Sequence, residues 1–213
     1  MLSLLVFDLD GTLIDSQQDI ADSLNFALRQ EGFPALSEQT IRDLVGRGAR
    51  RLVMEAIGNP TDEQLGRVFL AFWNHYEAHC LDRTCLYPFV REFLESHAHI
   101  PMAVVTNKPE LFSRKILKGL GVDSHFRWLI GGDTLGTQKP DARVLDPIFA
   151  DLGGRVKAMI VGDSDVDIEC GKAAGLLTCA VSYGFRDRSE LADLKPDYLI
   201  DRLDELPRLP VFA

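Results

Sequence analysis

Asp8-Leu9-Asp10-Gly11-Thr12 sets two carboxylates directly behind the apolar run Leu4-Leu5-Val6-Phe7, with a glycine that lets the chain turn sharply. A carboxylate in that place can bind a hard cation through one oxygen and attack phosphorus with the other, while the backbone carbonyl of Asp10 completes a metal shell. Asp-x-Asp is also an ordinary solvated turn, so the reading rests on what the rest of the chain supplies.

It supplies a second acidic cluster and a set of cationic and polar partners. Val161-Gly162-Asp163-Ser164-Asp165-Val166-Asp167 again follows an apolar run, and three acids so close together repel one another unless a cation sits among them. Magnesium, which takes oxygen ligands and keeps several waters, suits such a set. Helix capping accounts for one or two of these acids but not for the whole group. Thr106 and Asn107 close the run Val104-Val105-Thr106-Asn107, offering a hydroxyl and an amide to phosphate oxygens, and Lys139 in Gln138-Lys139-Pro140 offers a positive charge. A phosphoryl group in transfer spreads negative charge over its equatorial oxygens, and a lysine, a hydroxyl and a divalent cation answer that charge.

The elements that would position these residues are legible from periodicity. From about Ile100 onward, short apolar runs alternate with helical stretches. The runs are Met102–Thr106, Trp128–Gly131, Ala158–Gly162, Thr178–Val181 and Tyr198–Ile200; between them, Leu111, Ile116, Leu117 and Leu120, then Val144, Leu145, Ile148, Phe149 and Leu152, are spaced as apolar helix faces. Alternating strands and helices predict a doubly wound, Rossmann-like parallel sheet. Between the first run and Pro101 the gap is too long for a simple crossover. Its pattern is helical, broken at Gly32-Phe33-Pro34, Gly46-Arg47-Gly48 and Gly58-Asn59-Pro60. This predicts an α/β core formed by residues 1–14 and 84–213, and a cap of four or five helices, residues 15–83, inserted after the first strand.

Composition narrows the function classes. With 46% hydrophobic and 26% charged residues the chain reads as an ordinary globular protein. The formal charge of -9 argues against nucleic acid or an anionic membrane surface as a partner. No apolar run approaches a membrane span, and the N-terminal segment has no basic flank and reads as a buried strand rather than a signal peptide. The expected compartment is the cytoplasm, and the expected state a monomer or homodimer. Cys80, Cys85, Cys170 and Cys179 are too sparse for a disulfide framework. His75 and His79, four apart with Cys80 and Cys85 nearby, suggest zinc only superficially, because Trp73 and Tyr76 interleave with them as core residues do.

The set as a whole resembles the haloacid dehalogenase-like superfamily of hydrolases. Asp8-x-Asp10-Gly11-Thr12 matches its first motif, Thr106 its second, Lys139 its third and Gly162-Asp163-x-x-x-Asp167 its fourth, so the resemblance spans nearly the whole chain. It implies a nucleophilic Asp8, an acid/base Asp10, and magnesium held by Asp8, the Asp10 carbonyl and Asp163, with Asp167 supporting. It also implies that the helical insertion is a cap.

Within the superfamily the chain looks most like the phosphoglycolate phosphatases, through Asp8–Ser16, Val45-Gly46-Arg47-Gly48 and Asp133-Thr134-Leu135 followed by Lys139-Pro140. The expectation is therefore a magnesium-dependent phosphatase acting on a small phosphorylated metabolite. Gly46 and Gly48 could present N–H groups to a substrate and Arg47 could pair with a carboxylate, with Arg50 or Arg51 as substitutes. The same loop also reads as a turn with a solvated arginine. A sugar phosphomutase and a pyrophosphatase share the core motifs and stay open; a dehalogenase or a non-catalytic binding module fits the intact acidic set less well.

Overall fold

Leu4–Phe7 forms strand β1, buried on both faces, with Leu5 and Phe7 in one apolar layer and Leu4 and Val6 in the other. Alternation of that kind is what a strand sandwiched between two helical layers requires. The computed structural model describes residues 2–58 and 60–212; Met1 and Ala213 at the ends of the predicted core, and Asn59 within a predicted breaker, lie outside the described residues.

After β1 the chain makes a short strand β2, Ile14–Asp15, and runs through helices α1 (Gln17–Gln30), α2 (Glu38–Leu44), α3 (Ala49–Ile57) and α4 (Asp62–His79) before returning as β3, Cys85–Leu86. Beyond β3 follow α5 (Val90–Ser96), β4 (Met102–Val105), α6 (Glu110–Gly119), β5 (Trp128–Ile130), α7 (Asp146–Asp151), β6 (Ala158–Gly162), α8 (Asp165–Ala174), β7 (Leu177–Val181), α9 (Arg188–Asp193) and β8 (Tyr198–Ile200). The main sheet has the order β5-β4-β1-β6-β7-β8, with every pairing parallel. Residues of α5 and α6 pack on one face and those of α7 and α8 on the other, as in the doubly wound arrangement expected. The chain runs outward in both directions from β1, so the carboxyl end of β1, where Asp8 stands, is the point at which open α/β sheets bind ligands.

Among the described residues the insertion carries four helices. Ile20, Leu24 and Leu28 of α1 and Val68, Phe72 and Tyr76 of α4 are buried, and they belong to the same apolar cluster as Phe7, Phe93 and Phe112, so cap and core share one interior. Thr61 caps α4 in a reciprocal box with Gln64, satisfying two otherwise orphaned backbone donors. Sequence reasoning missed the neck: β2 and β3 pair antiparallel, Ile14 with Leu86 and Asp15 with Cys85, and Asp19 accepts hydrogen bonds from the backbone of Arg83 and Thr84 and from the Thr84 hydroxyl. Two-residue strands are too short to leave a periodic signal. Leu111 is a second departure. Assigned to the apolar face of α6, it is 49% exposed, because Phe112, Ile116 and Leu117 fill that face and Leu111 points the other way.

Candidate active site

Asp8 follows β1 and Asp163 follows β6, the neighbouring strand, and Asp167 lies in the first turn of α8. An oxygen from each of these carboxylates lies within 4.8 Å of the others, and all three are buried. Glycine makes this closeness possible: a Cβ on Gly11 would stand 2.1 Å from Asp163 Oδ2, and Gly11 has φ +81, a backbone that other residues rarely adopt. A Cβ on Gly162 would lie 2.2 Å from Asp167 Cγ.

Lys139 reaches into the cluster from the loop after β5. Its Nζ donates to Asp167 Oδ1 at 2.5 Å and stands 2.8 Å from Asp8 Oδ1, off the line of a hydrogen bond, so that Asp8 Oδ1 is buried without a hydrogen-bond partner. Burial works against the Lys139 ammonium, but Asp167 and Asp8 override it and hold its proton more tightly than in an ordinary lysine. Burial raises Asp8 to about 6, with Lys139 opposing and Asp167 reinforcing the shift. Burial raises Asp163 further, to about 8, and the like charges of Asp167 and Asp8 add to it. Asp163 accepts from the Thr12 hydroxyl and from the Phe185 N–H, and Asp167 Oδ2 accepts from the Ser164 backbone and hydroxyl.

These observations fit a divalent cation: acids pushed out of their ordinary range by burial and mutual repulsion, and a bare carboxylate oxygen on Asp8. Asp165, which the sequence grouped with its neighbours, does not join them; it forms an ion pair with Arg47 outside the cluster. At the first position of α8 its side chain turns outward, while Asp167, two residues on, turns in.

Asp10 faces a different set of groups. The Ser16 hydroxyl donates to Asp10 Oδ1 at 2.5 Å, and Lys108 Nζ donates to Oδ1 and Oδ2 at 2.9 and 3.0 Å. Lys108 Nζ also donates to the Tyr76 hydroxyl at 2.7 Å and lies 4.6 Å from the centre of that ring. Burial first, then the Asp10 charge, raises Tyr76 well above the usual phenol range. Asp8, Asp10, Thr106 and Lys108 all line one cavity of about 50 Å³, walled from the cap by Val45, Gly46, Gly48, Leu52, Phe72 and Tyr76. Thr106 Oγ1 accepts from the Lys108 backbone.

Two predicted substrate contacts sit differently from expectation. The Asn107 amide donates to the Gly46 and Lys139 carbonyls and accepts from the Lys139 N–H, so its side chain ties three loops together instead of turning to a phosphate. Arg47 points away from the cavity to Asp165, and only its flanking glycines reach the cavity wall. Gly46 and Gly48 have φ +121 and +88, which explains glycine at both positions. The loop is docked on the core by Arg186, which donates to the Arg42 and Val45 carbonyls, and by Arg42, which donates to those of Gly184 and Phe185. His75 bonds to Ser23 and His79 pairs with Asp82.

Lys108, Tyr76 and Ser16 were not singled out for the site by sequence reasoning. Lys108 carried a signal, since it directly follows Thr106-Asn107; Ser16 and Tyr76 are brought in by the neck and by α4, which no local pattern encodes. Among the described residues, no helix is long and apolar enough to cross a membrane.

Known proteins resemble this chain in sequence and fold. The chain is 36% identical over 211 residues to a phosphoglycolate phosphatase of Pseudomonas savastanoi pv. phaseolicola, covering 95% of this chain and 78% of that one. It is 36% identical over 217 residues to a phosphoglycolate phosphatase of Vibrio parahaemolyticus, covering 96% and 94%. The crystal structure of a predicted phosphoglycolate phosphatase from Haemophilus somnus 129pt superposes with a TM-score of 0.89 at 30% identity over 97% of each chain. A haloacid dehalogenase-like hydrolase from Streptococcus pneumoniae, 22% identical, has the same fold with a TM-score of 0.87. Residues 5–181, from β1 through β7 and therefore including each acid of the buried cluster, match the family of haloacid dehalogenase-like hydrolases, and the chain belongs to that family.

Proposed function

We propose that the protein is a magnesium-dependent phosphatase that hydrolyses a small phosphate monoester, phosphoglycolate in particular, through an aspartyl-phosphate on Asp8. The observation that carries this reading is the buried cluster of Asp8, Asp163 and Asp167 with Lys139 beside it, Asp8 also lining a cavity of about 50 Å³. Asp8 attacks phosphorus, the bond to the ester oxygen breaks, and Asp10 gives the departing alkoxide its proton. Asp10 then takes a proton from water as that water attacks the phosphoryl group, which releases phosphate and restores Asp8. Thr106 and Lys139 bind the equatorial oxygens.

Asp8, Asp163 and the Asp10 carbonyl would hold the magnesium, with Asp167 supporting; its charge would offset that of the carboxylates and of the phosphoryl oxygens. Residues 15–83 act as the cap that keeps bulk water from the cavity. The named relatives support phosphoglycolate as substrate.

The test is phosphate release from phosphoglycolate, pyrophosphate and hexose phosphates, with magnesium and with chelator. Magnesium-dependent release from phosphoglycolate that vanishes in Asp8→Asn supports the reading. Release only from pyrophosphate or a hexose phosphate discards the substrate, and full activity of Asp8→Asn overturns the mechanism.

A further inference from the structure

The inner cavity is an unwelcoming place for a second anionic group, because two of its charged walls, Asp8 and Asp10, are themselves acids. The arginines that could answer such a group stay outside it: Arg47 pairs with Asp165 and Arg51 with Glu55, and Arg47, Arg50 and Arg51 line an outer groove instead. Lys139, paired with Asp8 and Asp167, serves the phosphoryl group. Among the described residues, the cation that lines the cavity is Lys108, its side chain 4% exposed.

We infer that Lys108, with the Tyr76 hydroxyl beside it, is the specificity site of this enzyme and binds the carboxylate of a 2-phosphorylated hydroxy acid. The inference rests on the phosphatase reading above and names the group that selects the substrate.

Geometry orders the parts. Lys108 stands two residues after Thr106 on the same loop and donates its backbone N–H to Thr106 Oγ1, so one loop carries both the phosphate-facing hydroxyl and the ammonium. Asp10 must reach the ester oxygen to protonate it, and Lys108 Nζ is within 3.0 Å of both Asp10 oxygens. The ammonium therefore lies where a substituent one or two bonds beyond that oxygen arrives. A carboxylate there takes over one of the two Lys108 bonds to Asp10, which keeps its bond from Ser16. Tyr76 accepts from Lys108, and its own proton has no acceptor among the described residues, so it offers a second donor to the incoming oxygen. Its burial keeps that proton in place. The wall around this pair is apolar: Ile20, Leu52, Phe72 and Phe112. In such surroundings a charge-assisted hydrogen bond discriminates strongly, and a neutral substituent leaves the ammonium with Asp10.

The experiment compares phosphoglycolate with 2-hydroxyethyl phosphate, a similar ester without the carboxylate, in the parent protein, Lys108→Met, Lys108→Arg and Tyr76→Phe, all with magnesium. The expected result is a parent preference for phosphoglycolate that falls about 10- to 100-fold in Lys108→Met. Lys108→Arg should recover part of it, and Tyr76→Phe, which removes only a hydroxyl and keeps the fold, should lower the preference several-fold through KM. Equal losses on both substrates in Lys108→Met, or a preference unchanged in Tyr76→Phe, would overturn the inference, because Lys108 would then act only by holding Asp10. A parent protein that hydrolyses both esters equally well refutes this inference and leaves the phosphatase reading standing, whereas release from neither ester refutes the phosphatase reading itself.

Discussion

Without magnesium, the cluster of Asp8, Asp163 and Asp167 should make the protein less stable as pH rises. In the unfolded chain Asp8 and Asp163 titrate near 3.8; folding raises them to about 6 and about 8. Both folded values lie above the unfolded one, so the folded state binds more protons between those limits. Stability is then greatest at low pH and is lost as pH climbs through the folded values. Taking Asp8 alone, the change from 3.8 to about 6 is worth ~3 kcal/mol at pH above both values. The two acids repel each other, so their costs do not simply add. For a chain of this size ~3 kcal/mol is about 6–12 °C in Tm.

Thermal unfolding in chelator at pH 5 and pH 8.5 measures this directly, with Asp163→Asn as the reference that removes one of the charges and keeps the shape. Asp163→Asn removes the Asp163 titration, which between pH 5 and its folded value of about 8 is worth ~4 kcal/mol, so the parent should lose about 8–16 °C more than the variant over that interval. Saturating magnesium should abolish most of the difference in the parent and little in the variant, because a ligand that binds only the folded state stabilises it by mass action. A Tm for the parent that tracks Asp163→Asn across the whole range, with or without magnesium, would mean that these acids are not crowded and the argument for a cation fails.

Asp8→Asn should lower kcat by at least ~10⁴-fold, since an amide does not attack phosphorus, with substrate binding retained in a pull-down of labelled ester. Asp10→Asn should lower turnover by ~10²–10⁴-fold and let phosphoenzyme build up on acid quench if hydrolysis suffers more than transfer. Gly11→Ala forces a Cβ against Asp163 and a strained backbone, so a magnesium titration of activity should shift to higher concentration. Arg47→Ala removes only a half-exposed ion pair, so it should cost less than ~1 kcal/mol of stability in denaturant unfolding and change KM less than about five-fold; a larger rise in KM would return Arg47 to the substrate.

What the sequence encodes locally, it displayed plainly. The strands of the sheet appear as buried apolar runs because a parallel strand covered on both faces has no polar side to interrupt it, and the acids stand out because each follows such a run. The neck and the cap's grip on the core were hidden for a physical reason: Asp19 with Arg83, Arg42 with Gly184 and Arg186 with Val45 join residues far apart in the chain through backbone groups that every residue carries. Arg47 and Lys108 make the difference concrete. Both are basic residues next to glycine or amide positions, and sequence reasoning chose the Gly46–Gly48 loop, with Arg47, Arg50 or Arg51 as the carboxylate partner, because its glycines can present N–H groups to an anion. The decisive fact is direction: Gly46 and Gly48 at positive φ carry the backbone past the cavity so that the arginine leaves it for Asp165, while the loop after β4 turns Lys108 inward onto Asp10. Side-chain direction at a loop is fixed by what packs above it, here Tyr76 of α4, and that information lies 32 residues away in the chain.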